Sequence, residues 1–375
     1  MVARWGLRAR RVTYERYVET RRFGSLDGLR AVAIAAVIWH HAGLAGNNVI
    51  PGWVITTRGF LGVDLFFVIS GFLIVTLLLR EKSQRNTISL SNFYARRVLR
   101  IFPPYYLMLL LVGTIAYLRP SGSTSDAVKR DLPYAMFFVS NLFVMHTGAL
   151  FITWSLSVEE QFYAVIPVIL KSLRRWLPLF LLVAYGIACL PPFFPSLPLP
   201  RFFMETTFGP ILLGTMLAWA LNSRRGFDLL SPLVSWRYAP LFAFGATVAL
   251  LNFLPADLTG WPRMMVHWAM AWLIAACVVR ENNMLAPVLT FWPVQRIGAV
   301  SYGIYLYHML IMHFVLMHAG GGLAACLLTL AATWIVAEMS YHFYEKKFLS
   351  LKPRFREPVK RLGWLEASTR IGGPG

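Results

Sequence analysis

The stretch Ser25-Leu-Asp-Gly-Leu-Arg30-Ala-Val-Ala-Ile-Ala-Ala-Val-Ile-Trp-His40-His41 decides how this chain is read. It is an apolar run of helical length that carries an arginine near its start and a histidine pair at its end. At about 100° per residue, the eleven steps from Arg30 to His41 return to within about 20° of the same helix face, about 16 Å further along the axis. His40 falls about 80° away from Arg30. Ionisable groups in an apolar span are costly to keep, so one face of this helix is expected to look into a functional interior rather than into lipid.

The wider composition fits that reading. Hydrophobic residues make up 57% of the chain and charged residues 14%, and the mean hydropathy is +0.57, far from the balance of a soluble domain. The expected fold is all-α, a polytopic integral membrane bundle of about ten transmembrane helices. The net charge of +19 does not point to nucleic acid, because the basic residues lie in short segments between apolar runs, where they act as topology signals. Cys189, Cys277 and Cys326 fall inside apolar stretches without disulfide or metal spacing, and no metal site is expected. The first 22 residues are rich in arginine and lack the apolar core of a secretory signal.

Apolar stretches suited to spanning run over 28–45, 59–79, 101–118, 152–170, 175–191, 207–222, 239–254, 264–279, 301–317 and 322–342. A shorter one, 132–145, would make eleven. Ten spans place the arginine-rich amino terminus, the 80–100 loop, 171–175, 224–237 and the tail from Lys346 on one cytoplasmic side, with both termini inside. Segment 132–145 then reads as a re-entrant or interfacial piece on the outer side, together with 191–200 and the loops near Asn47 and Asp257. The expected division is a basic cytoplasmic segment 1–23, a membrane domain 24–345 and a basic cytoplasmic tail 346–375. No repeat of 20–50 residues is visible, and the tail is too short for an independent module.

Three further blocks concentrate polar residues on an apolar background: Gly59-Phe-Leu-Gly-Val-Asp64-Leu-Phe-Phe-Val-Ile-Ser70-Gly71, Phe93-Tyr-Ala-Arg96-Arg97-Val-Leu-Arg100-Ile-Phe-Pro-Pro-Tyr-Tyr106, and Thr153-Trp-Ser-Leu-Ser157-Val-Glu159-Glu160-Gln-Phe-Tyr163. A weaker one is Ser301-Tyr302-Gly-Ile-Tyr305-Leu-Tyr-His308. In this order, over residues 24–345, they resemble the membrane acyltransferase-3 family of polytopic bacterial O-acyltransferases. The family's first-helix pattern, a basic residue, ten residues and a histidine, maps onto Arg30 and His41, in agreement with the helical geometry. The resemblance implies a bacterial cytoplasmic (inner) membrane enzyme, and the short tail is expected to lack the extracellular hydrolase-like domain that some family members carry. It also implies acyl-coenzyme A, chiefly acetyl-coenzyme A, as donor, and the hydroxyl of a surface glycan, a lipid-linked sugar or a small metabolite as acceptor.

Acyl transfer to a hydroxyl needs a base, and histidine suits that task near neutrality. His41 is the expected base and His40 an interfacial residue. An orienting carboxylate is sought in Glu159 or Glu160. The first glutamate is the regular one in the resembling family, which favours Glu159, and Ser155 and Tyr163 share its helix face. Arg96, Arg97 and Arg100 lie within one helical turn before Pro103-Pro104, where the helix is expected to bend or restart. With Arg30 they form the expected anion site for the donor's phosphates. Asp64 reads as mainly structural, able to pair with an arginine, and Gly59, Gly62, Ser70 and Gly71 as close helix contacts. His308, with Tyr302 and Tyr305, either reaches the central cavity or packs; His146, His267, His313, His318 and His342 carry no partner pattern. The competing class is a proton-coupled secondary transporter using Arg30, His41 and Glu159 as a relay, for which the internal symmetry of such transporters is missing.

Overall fold

The computed structural model describes residues 12–20, 22–44, 57–193, 208–255 and 258–355, and these residues form helices and turns with no strand. The helices are α1 (Tyr14–Glu19), α2 (Gly24–Leu44), α3 (Leu61–Arg85), α4 (Leu90–Leu118), α5 (Ser123–Met136), α6 (Gly148–Phe151), α7 (Thr153–Ser172), α8 (Leu177–Cys189), α9 (Phe208–Leu221), α10 (Arg224–Val234), α11 (Ala239–Phe253), α12 (Trp261–Val279), α13 (Ala286–Leu289), α14 (Trp292–Ala299), α15 (Ser301–Ala319), α16 (Leu323–Ser340) and α17 (Lys346–Leu349). The expected loops at 45–56, at 194–200 and around Asp257, the chain start up to residue 11 and the tail from 356 lie outside the described residues.

Helix α3 is the spine of the bundle, packed against α2, α7, α9 and α12. Its contacts depend on missing side chains. A Cβ on Gly71 would collide with the Ile211 carbonyl oxygen, one on Gly214 with the Val68 carbonyl, and one on Gly62 with the Ala33 carbonyl. Backbones approach this closely only where small residues face each other, which is how helices gain packing energy without a hydrophobic driving force between them. At the far end of α3, Asn86 adopts φ 57°, the left-handed cap that stops a helix.

Each of the ten expected apolar stretches coincides with a helix, but length and apolarity together qualify fewer of them as spans. Among the described residues α3, α4, α12 and the segment Leu323–Leu349 are long and apolar enough to cross a membrane; the bent pairs α10 with α11 (76°) and α14 with α15 (75°) raise the number to six. α8 and α9 are short, at 13 and 14 residues. The 21-residue α2 and 20-residue α7 have the length, but Asp27, Arg30, His40 and His41 in one and Glu159, Glu160 and Gln161 in the other dilute their apolar character. The residues expected to act are thus the ones that weaken the span signal.

One local expectation changes. Helix α4 runs unbroken through Pro103 and Pro104, and just before them Tyr302 Oη–H of a neighbouring helix donates to the Ile101 carbonyl at 3.1 Å. Segment 132–145 is the end of α5 followed by a turn, with Phe138 at φ 54° and its ring stacked on Tyr105 at 4.3 Å. Residues 346–355, read from sequence as part of a basic tail, pack along α4, and Arg96 Nη1 donates to the Phe355 carbonyl at 2.7 Å. The amino-terminal helix also belongs to the body: Arg80 donates to the carbonyls of Thr20 and Tyr17, and Tyr17 is buried.

Candidate active site

Arg30, Arg97 and Arg100 line one chamber with Ser70, Glu159 and Glu160, a cavity of about 150 Å³. Arg30 comes from α2, the other two arginines from α4, Ser70 from α3 and the glutamates from α7. Arg30 Nη1 is held by Asp27 at 3.0 Å, one helical turn back, and its side chain keeps 17% exposure. Ser70 Oγ–H donates to Glu159 Oε1 at 2.7 Å. The Arg97 guanidinium lies over the rings of Phe93 and Tyr163, at 5.8 and 5.7 Å. Its Nε is buried without a hydrogen-bond partner among the described residues. A buried guanidinium N–H left unpaired is expensive, and its strongest partners are anionic acceptors.

Arg96 does not join this lining. It is spent on Phe355 and on Glu81 at 3.4 Å, so the arginine set at this chamber is Arg30, Arg97 and Arg100 rather than the four expected.

His41 lines a second chamber of about 360 Å³ with His40, Asp64, Trp154, Arg263 and Tyr305. The two chambers abut: Val63 and Tyr305 line both. Tyr305 is pinned at this partition, its hydroxyl 2.6 Å from Ser155 Oγ and 3.2 Å from the Ile152 carbonyl.

The partner of His41 is a histidine. His41 Nδ1 lies 3.0 Å from His308 Nε2, and His308 Nδ1 lies 2.6 Å from the Tyr305 carbonyl oxygen. A carbonyl can only accept, so His308 carries its proton on Nδ1, and in the neutral ring its Nε2 must accept. His41 therefore donates from Nδ1 and keeps the lone pair of Nε2 free, the tautomer a general base requires. His308 is fully buried, which holds the relay in one orientation. The expected pairing of His41 with Glu159 is not formed; among the described residues Glu159 is held by Ser70 in the neighbouring chamber.

A third group lies beside His41. Asp64, 1% exposed, takes Arg263 in a bidentate grip, Nε at 2.9 Å and Nη2 at 3.1 Å, and also contacts His267 Nε2 at 2.8 Å. Asp64 does pair with an arginine, as its sequence context allowed, and His267, which carried no partner pattern, completes the cluster. Neither His308 nor Arg263 could be matched to its partner from spacing, since the pairs are separated by 267 and 199 residues. Ser70 stood out only as a small-residue contact. Among the described residues no group of three His, Cys, Asp or Glu side chains is placed to hold a metal ion.

A helical, membrane-type bundle with an arginine-lined chamber abutting a second cavity that holds a tautomer-fixed histidine defines a class of site suited to moving a group from an anionic donor to a protic acceptor. The chain belongs to the acyltransferase-3 family: it matches the family described as "Acyltransferase domain" over residues 23–338. It is 30% identical to a Staphylococcus aureus (strain COL) protein provisionally named an O-acetyltransferase, over 94% of this chain and 60% of the relative. It is 28% identical to the peptidoglycan O-acetyltransferase OatA of Listeria monocytogenes, over 86% of this chain and 55% of the relative. A Bacillus subtilis (strain 168) protein, YrhL, provisionally named a peptidoglycan O-acetyltransferase, is 28% identical over 96% of this chain and 58% of the relative. The chain thus spans about 60% of the length of these curated relatives. No solved structure matches it.

Proposed function

We propose that this acyltransferase domain moves an acyl group, acetyl in the simplest case, from acyl-coenzyme A to a hydroxyl of an envelope glycan or lipid-linked sugar. The observation that carries the reading is the pair of abutting chambers, one with the unpaired Nε of Arg97 and the other with His41, meeting at Val63 and Tyr305. The basic chamber suits the phosphates of the donor, which Arg97 and Arg100 hold with Arg30. Glu159 balances that charge and fixes Ser70; its contribution to catalysis is made from the donor chamber. The thioester then reaches the partition at Tyr305. His41 Nε2 takes the proton of the acceptor hydroxyl as the hydroxyl oxygen attacks the thioester carbonyl carbon. A C–O bond forms, the C–S bond breaks, and the proton passes from His41 to the leaving thiolate.

The same reading places the arginine end at the cytosol, where acyl-coenzyme A is made, and the His41 chamber toward the outer face of a bacterial cytoplasmic membrane, with both termini inside. The names of OatA and YrhL support a glycan acceptor and an acetyl group. Protein reconstituted in nanodiscs is expected to consume acetyl-coenzyme A and acetylate a chito-oligosaccharide. His41→Ala should lower the rate by about 10²–10⁴-fold with the donor still bound, and Arg97→Ala should raise the donor KM by about tenfold or more. Full activity in His41→Ala would remove the proposed base.

A further inference from the structure

Arg263 lines the same cavity as His41, and nothing in the donor chemistry calls for it. Its Nε and Nη2 edge is spent on Asp64, and its plane lies over the Phe60 ring at 5.6 Å. Nη1 makes no hydrogen bond among the described residues, while the side chain keeps 25% exposure. Holding an ion pair on a carboxylate that is 1% exposed costs desolvation energy that a packing contact would avoid. Such a group within an apolar bundle is by default a functional one. The same chamber is lined by His40, whose ring is engaged by the Thr57 backbone, so Arg263 Nη1 is the donor beside the base that an occupant can take.

The charge of the chamber says what that occupant is. Apart from the histidines, Asp64 and Arg263 are the charged residues in its described lining, and they cancel. The guanidinium therefore presents a directional N–H without net positive charge, unlike the chamber of Arg30, Arg97 and Arg100. A groove of about 730 Å³ between α4, α5 and α15 abuts the His41 chamber, with Gly148, Met309 and Met312 lining both.

Resting on the acyltransferase reading above, we propose that Arg263 is the acceptor-binding residue. Its Nη1 donates to a neutral oxygen beside the reacting hydroxyl, so the acceptor at this position is an uncharged sugar unit that offers an amide carbonyl or a second hydroxyl. Asp64 and His267 hold the guanidinium for that contact.

The test uses the full chain in nanodiscs, acetyl-coenzyme A, and three probe acceptors: chitotriose, cellotriose and a carboxylate-bearing hyaluronan oligosaccharide. Wild type is expected to prefer a neutral probe. Arg263→Lys keeps the charge against Asp64 but loses the Nη1 donor, and should raise the acceptor KM about tenfold with the donor KM within about twofold of wild type. A rise for chitotriose alone identifies an acetamido carbonyl as the bound oxygen; a rise for both neutral probes identifies a hydroxyl. Preference for the carboxylate probe, or an unchanged acceptor KM in Arg263→Lys, overturns the assignment while leaving the acyltransferase reading intact. Wild type that consumes no acetyl-coenzyme A with any probe overturns the reading beneath it.

Discussion

His41 owes its free Nε2 to a buried neighbour, and that dependence can be measured. Because the Tyr305 carbonyl forces the proton of His308 onto Nδ1, His308 imposes the tautomer of His41 from the far side of its ring. Replacing His308 by Ala leaves His41 free to rotate and to exchange tautomers. The expected outcome is a loss of about tenfold or more in kcat, part of the 10²–10⁴ that a positioned base supplies, with the donor KM little changed. Initial rates over a donor titration check this, and an unaltered kcat would reduce His308 to packing. The alignment of Arg30 with His41 was legible in sequence because both lie on one helix, where spacing converts directly to direction. The pairing of His41 with His308 was not, because it depends on how two distant helices are rotated against each other.

At the scale of elements, the position of α3 against α9 sets how the donor chamber closes, since Ser70 sits beside Gly71 at that crossing. Each helix offers a glycine to the other's backbone, Gly71 to Ile211 and Gly214 to Val68. Adding a branched side chain forces the helices apart. Gly214→Val is expected to destabilise the protein by about 1–3 kcal/mol, seen as a lower thermal midpoint in detergent, whereas a substitution at Gly245, where a Cβ meets nothing within 4 Å, should leave it almost unchanged. Equal midpoints for the two variants would count against this crossing. The helices that bear the reactive residues were found by their apolar runs, yet α2 and α7 are the poorest of the long helices as spans, for the reason that they carry Arg30, His41, Glu159 and Glu160. Function and membrane signal compete for the same positions.

For the whole molecule, the proposed mechanism requires the arginine chamber and the His41 chamber to open to opposite sides. Single cysteines introduced at residue 10, within 224–237 and after 350, in a chain whose three native cysteines are replaced, should be labelled from the cytoplasmic side only. Labelling of the last site from outside would overturn the ten-span arrangement and the sidedness of the site together. By itself the amino-acid sequence determined the helical class, the ten apolar stretches, the family resemblance and the Arg30 to His41 face, because periodicity, hydropathy and short-range spacing are properties of one segment at a time. Only the tertiary structure decided that Arg96 is diverted to Phe355, that Glu159 answers Ser70, that His308 orients His41 and that Asp64 presents Arg263. A polar group in an apolar interior must find a partner, but which partner it finds is set by the rotation and crossing of helices far apart in the chain.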